Sequence, residues 1–209
     1  MRVRWTTADL LRSRFRWHGH ALTGLLVAMT TVGLVVFAGG VARAATTVTW
    51  GQWKFYYQEK SNICWAAASK SLVHRVKVVE YTQCSLVDAG LQTTGCPNQT
   101  GTVYNVDRAI RAKGVSKTTV SAAGKPSWAD LRTWTTTNGG AITAIAWSAG
   151  GGHAVPIAGT DAASTQVYVV NISTTSVVAG WYPYSDFVAG SSKIFNKSFT
   201  VSGYIGAWR

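Results

Sequence analysis

The run Tyr57-Gln58-Glu59-Lys60-Ser61-Asn62-Ile63-Cys64-Trp65-Ala66-Ala67-Ala68-Ser69-Lys70-Ser71-Leu72 decides how the rest of the chain is read. A polar turn feeds a stretch of good helix formers, which predicts a helix starting at about Cys64. Ser61 or Asn62 is the expected N-cap, because a short side-chain oxygen can accept an orphan N–H of the first turn. Cys64 then falls in that turn, where the positive end of the helix dipole favours a thiolate. A cysteine thiol titrates near ~8.5, and a helix start can lower it by about one unit or more. Gln58, six positions upstream, can aim a side-chain N–H at an oxyanion forming on a carbonyl that Cys64 attacks. The plainer reading of Cys64 is a small buried hydrophobe in an alanine-rich helix.

Upstream, Met1–His20 carries Arg2, Arg4, Arg12, Arg14 and Arg16 against Asp9 alone. The apolar run Ala21–Val41 and then Ala42-Arg43-Ala44 follow. A basic head, an apolar middle and Ala-x-Ala predict a secretory signal peptide over 1–44, with one domain over 45–209. The apolar run spans 21 positions, longer than the ~7–15 of most such regions. An uncleaved N-terminal anchor therefore stays open, and only in that case is a membrane a partner. Either way the rest of the chain is expected outside the cytoplasm, secreted.

The formal charge of the whole chain is +12. After position 44 it is +7, from 14 basic and seven acidic residues. These are scattered, with neither a basic run nor the aromatic interleaving of a nucleic-acid groove, so no nucleic acid is expected as a partner. Attraction to anionic cell-wall polymers and simple colloidal solubility both account for such a charge.

Downstream of the helix, Cys84 and Cys96 lie 12 positions apart and bracket a Gly/Thr/Asn-rich loop. Outside the cytoplasm that reads as a disulfide, worth on the order of 3 kcal/mol in the chain-entropy model. Cys64 is then the odd thiol, either reactive or available for an intermolecular bridge. Cys64, His74, Cys84 and Cys96 are separated by nine, nine and eleven intervening residues, unlike the close pairs of structural zinc sites, so no metal and no cofactor are expected.

Thr102–Lys113 sets Val103, Val106 and Ile110 on one face of a short helix that stops at Gly114. Ser127-Trp128-Ala129-Asp130 opens another helix, carrying Leu131 and Trp134 and ending before Gly139-Gly140. From there the pattern turns to strands over Ala141–Trp147, His153–Gly159 and Gln166–Ile172, with closing strands over Lys193–Val201 and Tyr204–Trp208. Helices first and antiparallel strands after argue for an α+β architecture in two segregated halves. Pro156 removes a ladder N–H and marks an edge or a bulge in its strand.

Two histidines follow position 44. His74 lies ten residues along the Cys64 helix, about 15 Å up its axis and out of reach. His153 follows Gly150-Gly151-Gly152 at the start of a strand, beside a loop whose lack of side chains admits a substrate backbone. It is the candidate base for Cys64; a surface-turn histidine is the competing reading. Asn171 ends the next strand, one hairpin away, where its Oδ1 can accept from the imidazole. Asp161, in the Gly159-Thr160-Asp161-Ala162 turn, is the competing acceptor. Trp181 is a candidate to shield the pair.

Gln58-x5-Cys64-Trp65 at a helix start, followed by His153 and Asn171 in that order, resembles the papain-like cysteine peptidases. In particular it resembles the short single-domain bacterial branch that includes the staphopain-like and AvrRpt-type proteases. The resemblance runs from Gln58 to about Phe187. It implies a papain-like fold, with a helical half carrying the nucleophile and an antiparallel half carrying the histidine and asparagine. It also implies a monomeric hydrolase acting on peptides or proteins: Cys64 is the nucleophile, His153 the base, Asn171 the orienting group, and Gln58 with the Cys64 N–H the oxyanion hole. Ala45–Tyr57 is too short for the inhibitory propeptide domain that such enzymes often carry. The alternatives are a cell-wall peptide amidase or endopeptidase, whose cysteine is usually followed by Ser-Gly or Gly, and a non-catalytic secreted binding or effector module of the same fold.

Overall fold

A computed structural model describes residues 47–50 and 52–209; the expected signal peptide over 1–44 lies outside the described residues. A hairpin of β1 (Thr47–Trp50) and β2 (Trp53–Tyr56) leads through the Tyr57–Ile63 turn into α1 (Cys64–Lys77). Then come α2 (Gln83–Leu91), α3 (Val103–Ala112), β3 (Lys117–Ser121) and α4 (Trp128–Thr136). The last third holds β4 (Gly140–Trp147), β5 (Gly152–Asp161), β6 (Gln166–Ile172) and β7 (Val177–Pro183). Two short helices, α5 (Tyr184–Ala189) and α6 (Ser192–Phe195), precede β8 (Phe199–Trp208). β3 to β8 form one antiparallel sheet in the order β3-β8-β4-β5-β6-β7. The α+β expectation holds, with helices gathered toward the N-terminal half and the antiparallel sheet toward the C-terminal half.

The sheet is two-faced because its strands alternate. Ile142, Ala154, Ala158, Val170 and Ile172 pack with α1, α2 and α3 on one face. Ala141, Val155, Ile157, Val167 and Val169 pack with Leu131 and Trp134 of α4 and Phe187 of α5 on the other. The halves are therefore layered rather than simply side by side, since α4 and α5 cover the face that α1 leaves open.

α1 forms where its alanines predicted, and Leu72, Val73 and Val76 are buried along it. Its N-terminus departs from expectation. Ile63 is the N-cap, without a side-chain capping bond. Ser61 and Asn62 are drawn outward instead to Asn98, whose Oδ1 accepts from the Asn62 N–H (2.8 Å) and whose Nδ2 donates to Ser61 Oγ (2.9 Å). Ile63 is fully buried, so the chain turns inward one residue too late for either polar side chain to reach the helix end.

Three further differences have local causes. The segment between Cys84 and Cys96 is not all loop: Thr82 caps α2 through the Ser85 N–H (3.1 Å), and Leu86 and Val87 are buried. The closing strands at Lys193–Val201 and Tyr204–Trp208 are instead the short helix α6 followed by the single strand β8. In its register with β4, Ala144 faces Gly203 and Ile145 faces Val201, so Ser202 is a bulge residue. The extra residue swaps the faces of β8: Val201 joins the α4 side, Ile205 the α1 side. Finally, Val177–Pro183 is a strand that the sequence reading lacked, and it forms the sheet edge, where its proline is tolerated.

Candidate functional site

Cys64 is the first residue of α1 and the free cysteine among the described residues. Cys84 and Cys96 are bridged, with their Cα atoms 4.8 Å apart, within the usual range. Cys64 lines a cavity of about 560 Å³ between α1, the start of α3 and the sheet, and His153 lines the same cavity. Thr100–Thr102 and Tyr104 form one wall, Ala144, Ser202 and Gly203 the other. Among the described residues, no Asp, Glu, Lys or Arg lines it.

The His153 side is set by strand register. β5 pairs with β4 along its whole first half, with Ile145 opposite His153. β5 and β6 pair only from Ile157 onward, with a bulge between Ile157 and Gly159. Gly152–Pro156 is thus an edge on the β6 side, and both alternatives raised by Pro156 occur in one strand. Where the strands have parted, a side-chain bond joins them: His153 Nε2 to Asn171 Oδ1 at 3.0 Å. With Nε2–H donating to the amide oxygen, Nδ1 is the ring nitrogen left to exchange protons. Asp161 does not compete. It is the last residue of β5, and its oxygens serve the turn that follows, accepting from the Ala163 N–H (2.9 Å) and Ser164 Oγ (2.5 Å).

The two titratable groups feel opposing influences. Burial pushes the Cys64 thiol up, while the backbone N–H groups of Ala154, Trp65 and Cys64 itself pull it down. Burial pushes the His153 imidazole down, against the Asn171 hydrogen bond and the Ile172 backbone, which favour the protonated ring. The expected lowering of the thiol by its helix position is therefore corrected. The N–H groups at the helix start act in the expected direction, but taking the sulfur out of water outweighs them.

Gln58 is buried, at 7% exposure. Its backbone N–H donates to the Ser173 carbonyl (2.9 Å) and its Nε2 to the Lys60 carbonyl (2.5 Å), which leaves one amide hydrogen for another acceptor. His74 is elsewhere. It lines a separate cavity with Lys54, Arg75 and Arg209, and meets Tyr56 edge-on at 6.2 Å. Trp181, the candidate shield, packs on Tyr168, with ring centroids 5.1 Å apart, and lines a different cavity with Gln52 and Thr160.

The indole beside the histidine is Trp147, stacked on the imidazole with centroids 6.1 Å apart and planes 20° from parallel. The Gly150-Gly151 turn folds β4 and β5 together, and Trp147 N–H donates to the Gly151 carbonyl (3.0 Å). The signal was an aromatic residue two positions after Ile145, which pairs with His153, and therefore on the same face of the hairpin as the histidine. Trp65, after the cysteine, is 1% exposed and donates its indole N–H to the Gln99 carbonyl (3.0 Å), tying the cavity-wall loop to α1.

Among the described residues no group of three His, Cys, Asp or Glu side chains is placed to hold a metal ion, and no helix is long and apolar enough to cross a membrane. No known family model matches the chain. No curated protein matches it either.

Proposed function

We propose that this chain is a papain-like cysteine peptidase that works outside the cytoplasm. The observation that carries the reading is the His153–Asn171 hydrogen bond of 3.0 Å at a cavity shared with Cys64 at a helix start. Cys64 Sγ attacks the peptide carbonyl carbon while His153 Nδ1 takes the thiol proton. The oxyanion is stabilised by the Cys64 backbone N–H and the remaining Gln58 amide hydrogen. Collapse breaks the C–N bond, His153 returns the proton to the leaving amine, and a thioester remains. Water activated by the same imidazole then attacks the thioester and releases the acid and the thiol.

Burial favours the uncharged thiol and the uncharged imidazole separately, so the mechanism needs the proton to move between them as a pair. A thiolate beside an imidazolium each cancels part of the other's desolvation cost. The same burial favours a second reading, a non-catalytic binding module of this fold in which Cys64 stays a thiol.

Iodoacetamide labelling against pH separates the two. A peptidase should alkylate Cys64 down to about pH 5, where a lone thiol is almost wholly protonated. Gln58→Ala should leave that labelling intact while peptide hydrolysis falls roughly 100-fold or more. Labelling confined to pH above about 8, together with no hydrolysis, would sink the peptidase reading and favour the module.

A further inference from the structure

The segment bearing Gln58 has almost no secondary structure of its own. It runs from the end of β2 at Tyr56 to the start of α1 at Cys64, and a turn of that length needs outside partners to hold one conformation. One partner is Gln83, the first residue of α2 and next to the bridged Cys84. Its side chain is fully buried although it is polar. Its Nε2 donates to the Tyr57 carbonyl (2.6 Å), and its Oε1 accepts from the Glu59 N–H (3.1 Å). The two bonds fall on either side of Gln58. A single amide thus pairs with the backbone as a neighbouring strand would, and fixes the peptide planes flanking the candidate oxyanion donor.

We propose that Gln83 is the positioning residue of the oxyanion hole, acting through Gln58 and touching no substrate itself; this rests on the peptidase reading above. The Cys84–Cys96 bridge fixes the base of that support. Cys84 follows Gln83 directly, the Cys96 N–H donates to Asp88 Oδ1 within the same helix (2.8 Å), and Lys60 Nζ donates to the Cys96 carbonyl. Lys60 in turn holds Gln58 Nε2 through its own carbonyl. Gln58 is therefore held from α2 at its backbone and from the bridged loop at its side chain. Misplacing a catalytic group by about 1 Å can cost on the order of 100-fold, so a loosened turn at Gln58 acts on turnover before it acts on folding.

The test is a double-mutant cycle on peptide hydrolysis with Gln83→Met, which keeps the volume and removes both bonds, and Gln58→Ala. Gln83→Met alone should lower kcat by roughly 10- to 100-fold with KM nearly unchanged and with Cys64 labelling at pH 5 retained. In the Gln58→Ala background it should cost less than about two-fold, because nothing remains to be positioned. Equal losses in both backgrounds would mean a general structural role and overturn the proposal. Should Gln83→Met fail to fold, Gln83→Glu keeps an acceptor for the Glu59 N–H but turns a second acceptor on the Tyr57 carbonyl, and its loss should likewise shrink to less than about two-fold in the Gln58→Ala background. Amide hydrogen exchange supplies the arm that does not depend on turnover. Gln83→Met should speed exchange at Gln58 and Glu59 by at least ~10-fold relative to the α1 amides, and unchanged protection there overturns the proposal whatever the activity. Loss of hydrolysis in the wild type, with the exchange result as expected, would instead overturn the peptidase reading.

Discussion

The two walls of the Cys64–His153 cavity are built by different physics. The His153 wall is a sheet: β4 pairs with β5 residue by residue, and the ring needs only one added side-chain bond, to Asn171, where β6 has separated. The Cys64 wall is anchored by the turn that leads into it, Tyr57–Ile63, which is held by amide side chains reaching across the chain, Gln83 to Tyr57 and Glu59 and Asn98 to Ser61 and Asn62. A sheet wall shares any local fault among many ladder bonds. A turn wall concentrates it in two or three, so the Cys64 side is the one that sequence changes far away can loosen.

The largest effect expected on the peptidase reading tests whether the sheet wall carries the proton. His153→Ala should lower kcat by about 10²- to 10⁴-fold, the range for loss of a general base. His74→Ala, in its separate cavity, should stay within a few-fold, as steady-state kinetics on one peptide would show. Comparable losses in both variants would mean that the base has been misassigned.

Next in size, Cys84→Ala with Cys96→Ala opens the loop behind the turn wall. Urea unfolding should register a loss of about 3 kcal/mol. The imidazole resonances of His153 should keep the signature of a hydrogen-bonded Nε2–H, because that wall does not pass through the bridge. Loss of that signature would show that the walls are not independent.

The smallest effect separates the two histidines by acid. Burial lowers both imidazoles from their usual value near 6.5, and His153 is partly held up by Asn171. The unfolded chain therefore binds more protons than the folded one below about 6.5. By linkage, the stability these rings contribute is present above that pH and is lost as pH falls toward their folded values. Urea midpoints should drop between pH 7 and pH 5, and the drop should shrink in His74→Gln. A midpoint flat over that window would contradict burial as the dominant influence on either ring.

What could be read ahead follows the same division. Gln166–Ile172 was legible to the residue because Val167, Val169 and Val170 are β-branched and both ends are turns. The Cys84–Cys96 bridge was legible from its spacing, and the His153–Asn171 juxtaposition from a hairpin that returns the end of β6 to the start of β5. α2 was hidden because Gly90 and the glycine and threonines beyond it read as loop, whereas its Thr82 cap and buried Leu86 and Val87 hold it. β8 was divided at Ser202-Gly203 because a bulge resembles a turn when only residue types are visible. The bonds made by Gln83 and Asn98 span 24 to 37 positions, and a side chain meeting a distant backbone leaves no period to detect.

Trp65 carries a consequence for how this protein could change over evolutionary time. A methyl group placed on Gly101 would lie 2.6 Å from two atoms of the indole, and one on Gly90 would lie 2.7 Å from the Asn105 carbonyl and 2.8 Å from the same ring. Three positions far apart in the chain thus occupy one volume, and neither glycine can acquire a side chain while the indole remains. The route to a new residue at 101 passes through a smaller one at 65, which would first empty space beneath the wall loop and release the Gln99 carbonyl. Gly101 borders the cavity, so a lineage that made both steps in that order would gain a side chain facing whatever the cavity holds. Altered selectivity at this wall is therefore two mutations away, across an intermediate weaker than either end.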